Sequence, residues 1–175
     1  MMNKSGFTII ELMVVITIGL LITGGSVVSY NKFIDQQRLN QSVLLLKAKL
    51  EQAHAYAVSS KKPADCTNFQ GFKVELKLTT TPNSYIIGPV CDGTMLLPET
   101  TLLPVEIIFE STLVTDFIFY PLTLGTSLEN DMRINLKSTR TSRNNGVLIF
   151  KSGSIGSILR VFISPTPVPI TTSTP

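Results

Sequence analysis

The amino-acid sequence predicts an α+β fold in which one long N-terminal helix, apolar in its first half and amphipathic in its second, packs on a mainly antiparallel β-sheet head. Three observations lead there. An apolar run opens the chain, a stripe of apolar residues at helical spacing follows it, and short alternating runs fill most of the remainder. At 175 residues and 19.2 kDa, the chain has room for one compact domain plus an appended segment. The hydrophobic content of 43% and the mean hydropathy of +0.29 are high for a soluble protein. The excess sits at the N-terminus.

Residues 7–28, FTIIELMVVITIGLLITGGSVV, carry one charge, Glu11. As an unbroken helix they would span about 33 Å, enough to cross a bilayer. An ordinary secretory signal places its small-residue cleavage site after the apolar core, whereas here Gly6 precedes it. Trimming after Gly6 would leave the helix on the mature chain, so residues 1–6 read as a leader. Lys4 marks that leader as cytoplasmic by the positive-inside rule, with Lys32 and Arg38 close on the other side. A carboxylate costs on the order of 2.5–3.5 kcal/mol at the centre of a membrane helix and less near the interface, so Glu11 is a functional residue by default. Its partner would be the new amino terminus at Phe7, one helical turn away, in its own chain or a neighbour's.

Beyond the apolar run, Leu39, Val43, Leu46, Leu50, Ala53 and Ala57 alternate spacings of four and three, as one stripe of an amphipathic helix does. No proline or glycine interrupts 26–62. Residues 29–62 therefore continue the apolar segment as one rod of about fifty residues, which Pro63 ends. His54 and Tyr56 flank the stripe and belong to a packed or solvated face. The head, 63–163, opens with Phe72, Val74, Leu76 and Leu78 on one side of a strand and charges on the other. Further strands are expected at 85–90, 105–109, 117–120, 132–137, 147–151 and 158–163, separated by Asn, Gly, Pro and Ser. Residues 164–175, rich in Pro and Thr, read as an extended tail.

Cys66 and Cys91 have neither a C-x-x-C spacing nor histidine companions, since His54 is the single histidine. A disulfide in an oxidising compartment fits them better than zinc. No metal or other cofactor is implied.

The segment Gly6-Phe7-Thr8-Ile9-Ile10-Glu11-Leu12-Met13-Val14-Val15-Ile16 resembles the processing and assembly motif of type IV prepilins and type II secretion pseudopilins. The resemblance implies a pilin-like fold, cleavage after Gly6 by a membrane prepilin peptidase, and N-terminal methylation of Phe7. It also implies that Glu11 supports docking of a new subunit into the filament. Partners would be other pilin or pseudopilin subunits, the inner-membrane assembly platform, and membrane lipid before assembly. The chain would be a single-pass inner-membrane protein with its head outside the cytoplasm, then part of a periplasmic or surface filament. The proline common in major pilins at the position of Val28 is absent, and Gly24-Gly25 would supply local loosening instead. Residues 53–63, 117–126 and 147–153 are similar to GspH/FimT-type minor pilins, with Gly153 as the closing glycine. Some DNA-uptake members of that group bind DNA through arginines after the late glycine, where this chain has Ser154-Ile155-Gly156.

Catalytic equipment is sparse. Ser59-Ser60-Lys61-Lys62 fits S-x-x-K but lacks the partner motifs of penicillin-binding enzymes, and there is neither a G-x-S-x-G nor a phosphate-cradling glycine motif. Glu99, Glu106, Glu110 and Asp116 read as scattered acids on solvated loops. The formal charge of +3 is too mild to imply nucleic acid. The basic cluster of Lys137, Arg140 and Arg143 reads as a solvated hairpin loop. With Arg160, it also defines the alternative reading, a DNA-binding minor pilin of a competence pilus, through salt-sensitive phosphate contacts. The first reading is a structural minor pilin or pseudopilin, not an enzyme. Intact-mass analysis of protein isolated from membranes is expected to show a chain beginning at Phe7; residues 1–6 still attached, or a cut beyond Val28, would refute the processing step.

Overall fold

The structure, a computed structural model, describes residues 8–110, 114–122 and 125–158, with only the backbone path given for 21–29, 157 and 158. Helix α1 spans Ile9–Val58, 50 residues, unbroken through Gly24-Gly25. Thr8 caps it, its hydroxyl accepting the Glu11 N–H at 3.3 Å, which satisfies one of the donors a helix start leaves free. At the other end Ser60 adopts φ 50°, and the Lys61 and Ser60 amides turn back onto the Tyr56 and Ala57 carbonyls at 2.9 Å each. This left-handed closure ends the helix four residues before the position that Pro63 suggested.

The head is two antiparallel sheets. Strands β1 (Phe69–Lys77), β2 (Ser84–Cys91), β3 (Thr94–Met95), β4 (Glu99–Leu102) and β6 (Asp116–Phe119) form one. In it the order is β3-β2-β1-β6, and β4 also pairs with β2. Strands β5 (Ile107–Phe109), β7 (Met132–Ser138), β8 (Asn144–Ile149) and β9 (Ile155–Ile158) form the other, in the order β5-β7-β8-β9. Helix α1 packs against β1 and β6 of the first sheet and β7, β8 and β9 of the second.

All six residues of the expected stripe are in the core, from Leu46, Leu50 and Ala57 at 0% exposure to Val43 at 4%. Opposite them lie Val74, Phe117 and Phe119 from one sheet and Ile134, Leu136, Val147 and Ile149 from the other. Strand β1 alternates as its sequence dictates: Phe72, Val74 and Leu76 point inward, and Lys73, Glu75 and Lys77 point out. Outside, Lys73 bonds Glu75 at 3.0 Å and Asp116 at 3.1 Å, and Lys77 bonds Glu75 at 3.0 Å. Lys77 first, then Lys73, holds the Glu75 carboxyl below its usual range.

Two buried devices join the layers. The Asn83 side chain donates to the Leu78 and Thr80 carbonyls at 2.8 Å each and accepts the Phe109 N–H at 3.0 Å. It therefore ties the β1–β2 turn to β5 with its polar atoms satisfied. Gly71, at φ +131°, forms a bulge in β1, and a Cβ there would lie 2.0 Å from the Phe119 carbonyl oxygen. No other residue type allows β6 to approach that closely.

Several expectations about strands shift. The 105–109 segment loses its start, because Pro104 heads a turn closed by the Ile107 N–H at 2.8 Å and leaves Val105 exposed. The 147–151 segment starts earlier, at Asn144, and stops at Ile149, where Phe150 and Gly153 close a turn. The last strand among the described residues is Ile155–Ile158, and the expected 158–163 segment, like the tail, falls outside the described residues beyond Ile158. Strands β3 and β4 have no counterpart in the sequence reading, since Thr94-Met95 and Glu99-Thr100-Thr101-Leu102 show no apolar alternation.

Cys66 and Cys91 form a disulfide, with both residues buried and their Cα atoms 5.6 Å apart. It fastens the segment leaving α1 to the end of β2. Closing a loop of 25 residues stabilises the head by roughly 3 kcal/mol in the chain-entropy account.

Leu50, at the centre of the stripe, reports on the whole helix–sheet interface. Leu50→Ala is expected to cost about 2–5 kcal/mol, read as a fall in chemical-denaturation midpoint with an unchanged slope. A change under about 0.5 kcal/mol, the range of a surface site, would contradict this packing.

Candidate functional site

Two surfaces of α1 are left over once the head has closed its core. The first is the described part of the apolar half, where Ile9, Ile10, Leu12, Met13, Val14, Val15, Ile16, Ile18 and Leu20 are each at least half exposed. Contiguous apolar surface of this kind marks a contact with another protein or a membrane. Glu11 lies exposed among these residues in the first turn. Thr17 returns its hydroxyl to the Met13 and Val14 carbonyls at 3.0 and 2.9 Å, hiding its own polarity along the helix. Gly6 and Phe7 lie outside the described residues. Among the described residues, no helix is long and apolar enough to cross a membrane.

The second surface is the base of the head, where α1 meets the β7–β8 turn. Four residues before Leu39, Asp35 occupies the next position of the buried stripe and is 8% exposed. The Arg140 guanidinium lies 3.9 Å from the Asp35 carboxylate and 3.1 Å from Glu106, which also takes Arg38 at 3.2 Å. Arg143 donates to the Gln36 side chain, and Asn145 donates to Asn40 at 3.1 Å. The Glu106 carbonyl accepts the Thr139 N–H at 2.9 Å and its hydroxyl at 3.2 Å. The turn is solvated as expected, with Arg140 and Arg143 exposed, and its side chains also reach back to the helix. Lys137 sits on β7 opposite Ile108, and Arg160 lies outside the described residues.

Two of the four acids stand on strands rather than loops, whereas Glu106, in the turn before β5, and Glu110, just after it, lie on connections as expected. Glu99 stands on β4 and pairs with Lys49, Asp116 stands on β6 and pairs with Lys73, and Glu106 anchors the base network. Asp35, Gln36 and Glu106 were missed as functional positions, although an acid in phase with an apolar stripe is itself a signal of a paired, buried charge. Ser59 caps the end of α1, opposite to the helix start that an S-x-x-K nucleophile requires. His54 packs its ring on Phe119 at 5.5 Å. Gly153, at φ +91°, lies so close that a Cβ there would come 2.8 Å from His54 Nε2.

The Glu106 network is half-exposed, so its contribution is modest. Glu106→Gln is expected to lower stability by about 1 kcal/mol, with the deficit shrinking as salt rises toward roughly 0.5 M. A deficit unaffected by salt in thermal melts would mean that packing, not charge, holds the turn.

Residues 1–27 match the prokaryotic N-terminal methylation motif. No curated protein matches the chain. Among solved structures, the Pseudomonas aeruginosa (strain PAO1) type IV minor pilin FimU is similar in fold, with a TM-score of 0.51 and 15% identity over 68% of this chain and 91% of that one. The chain thus joins an N-terminal methylation motif, through one continuous helix, to a head similar in fold to that of a type IV minor pilin.

Proposed function

We propose that the chain is a minor pilin or pseudopilin subunit, trimmed after Gly6 by a prepilin peptidase, methylated on Phe7, and assembled through its N-terminal helix. Residues 7–28 anchor it in the inner membrane with the head, 63–163, outside the cytoplasm. Residues 29–62 fix the head to that anchor, and an inner-membrane platform extracts the subunit into a type IV pilus or a type II secretion pseudopilus. The observation that carries this reading is the exposed apolar helix with one acid, rigidly continuous with a head whose own core is closed. Lipid covers that surface before assembly and neighbouring helices cover it afterwards.

Assembly is favoured over the DNA-receptor reading because the β7–β8 turn that carries Arg140 and Arg143 contains no aromatic side chain for base stacking.

Glu11 supplies the test. Pairing its carboxylate with the amine of Phe7 would satisfy a charge that is costly in hydrocarbon. Glu11→Gln keeps the size and removes the charge. Insertion and cleavage after Gly6 are expected to persist while the filament-incorporated fraction falls by about tenfold, the equivalent of 1.4 kcal/mol. Comparison of membrane and sheared-filament fractions reads this out, and wild-type incorporation of the variant would remove Glu11 from the assembly mechanism.

A further inference from the structure

We propose that the base of the head carries a binding site for the phosphate of an anionic phospholipid headgroup, an inference that rests on the membrane-anchored reading above. Asn31, Lys32, Asp35, Arg140, Thr141 and Arg143 line an open concavity of about 550 Å³ between α1 and the β7–β8 turn, within the size range of small-molecule sites.

Charge is the first argument. Three cations, Lys32, Arg140 and Arg143, line this concavity with one carboxylate, Asp35, and beside it Glu106 pairs with Arg38 and Arg140. Glu106 is shared between Arg38 and one edge of Arg140, and Asp35 stands at the long distance of 3.9 Å from the other edge. Arg143 has the neutral Gln36 as its side-chain partner, and Lys32 has no ion pair among the described residues. The surplus is positive, and a guanidinium held in place is a good phosphate donor.

An unsatisfied group is the second. The Thr141 hydroxyl is buried and has no hydrogen-bond partner among the described residues. Thr141 is one of the residues that line the concavity, with its hydroxyl turned away from solvent. A rotation of the Thr141 side chain toward the concavity would bring its hydroxyl to a phosphate oxygen, and Asp35 would accept a hydrogen bond from a glycerol-bearing headgroup.

The third argument is height along the helix. Because α1 is continuous, Lys32 lies about 6 Å beyond Val28, the end of the apolar run, at 1.5 Å per residue. That is the depth of the headgroup layer beside the hydrocarbon core. Tyr30 and Phe33, 62% and 58% exposed on the same turn, have the aromatic character of residues at a membrane interface. A nucleic acid would have to enter that layer to reach the site, which favours lipid over the polymer.

The test uses the full chain in a neutral detergent, with retained adducts counted by native mass spectrometry. Probes are short-chain phosphatidylglycerol, phosphatidylcholine, inorganic phosphate and a single-stranded oligonucleotide. Phosphatidylglycerol is expected to bind in preference to phosphatidylcholine. Lys32→Gln combined with Arg143→Gln should weaken that binding by about tenfold or more. Lys61→Gln with Lys77→Gln, which removes the same charge elsewhere, should leave it unchanged, and Arg143→Lys should retain most of it. A loss of the far-ultraviolet helical signal in the double variant shifts the decision to Thr141→Val, which is expected to weaken binding while preserving the fold.

Equal retention of the two lipids, or equal effects of the two double variants, would overturn the site. So would displacement of the lipid by inorganic phosphate at equal concentration, which would assign a free-phosphate site, or tighter binding of the oligonucleotide. Carbonate extraction separates the two levels of the inference. A wild-type chain released from membranes refutes the anchored reading, whereas a chain that stays in membranes without lipid preference refutes the pocket alone.

Discussion

Burial of one helical stripe governs this protein. Leu39, Val43, Leu46, Leu50, Ala53 and Ala57 face both sheets at once, so neither sheet has a complete core without α1. Sheets that present an apolar face require such a cover, and here the cover also makes the connection to the N-terminal half. The head is then specified in relation to the helix by three different kinds of contact. The stripe sets which face packs, the Asp35–Arg140–Glu106 network sets where the second sheet lies along the axis, and the disulfide holds the exit from α1 against β2.

What could be read in advance follows from which signals are local. The stripe was legible because its period is a property of the helix alone, and β1 because its inward and outward faces alternate over seven residues. The cysteines were legible because nothing else in the chain suits them. The helix end was misplaced because a serine, Ser60, takes the left-handed position that glycine usually marks. Strands β3 and β4 were invisible because they are edge elements whose stability comes from pairing with β2 rather than from a buried face.

The site was only partly legible. Glu11 stands out in any apolar run, so its position needed no tertiary information. The basic residues at 140 and 143 also stood out, but their partners are more than thirty residues away, on α1 and at the start of β5. A charge cluster viewed without its partners reads as a free surface. Asp35, Gln36 and Glu106 turn it into a docked corner, and the unpaired Thr141 hydroxyl appears only once the corner is closed.

The uninterrupted course of α1 has a mechanical consequence. A pull on its apolar end runs straight down the helix axis into the stripe, with no hinge to absorb it, since the backbone remains helical even at Gly24-Gly25. The load reaches the head as shear distributed over five turns of buried side chains. It does not arrive as a peeling force on one strand, which would break ladder bonds one by one. Because the disulfide lies beyond the far end of the helix, it bears little of that load until the helix itself begins to slide.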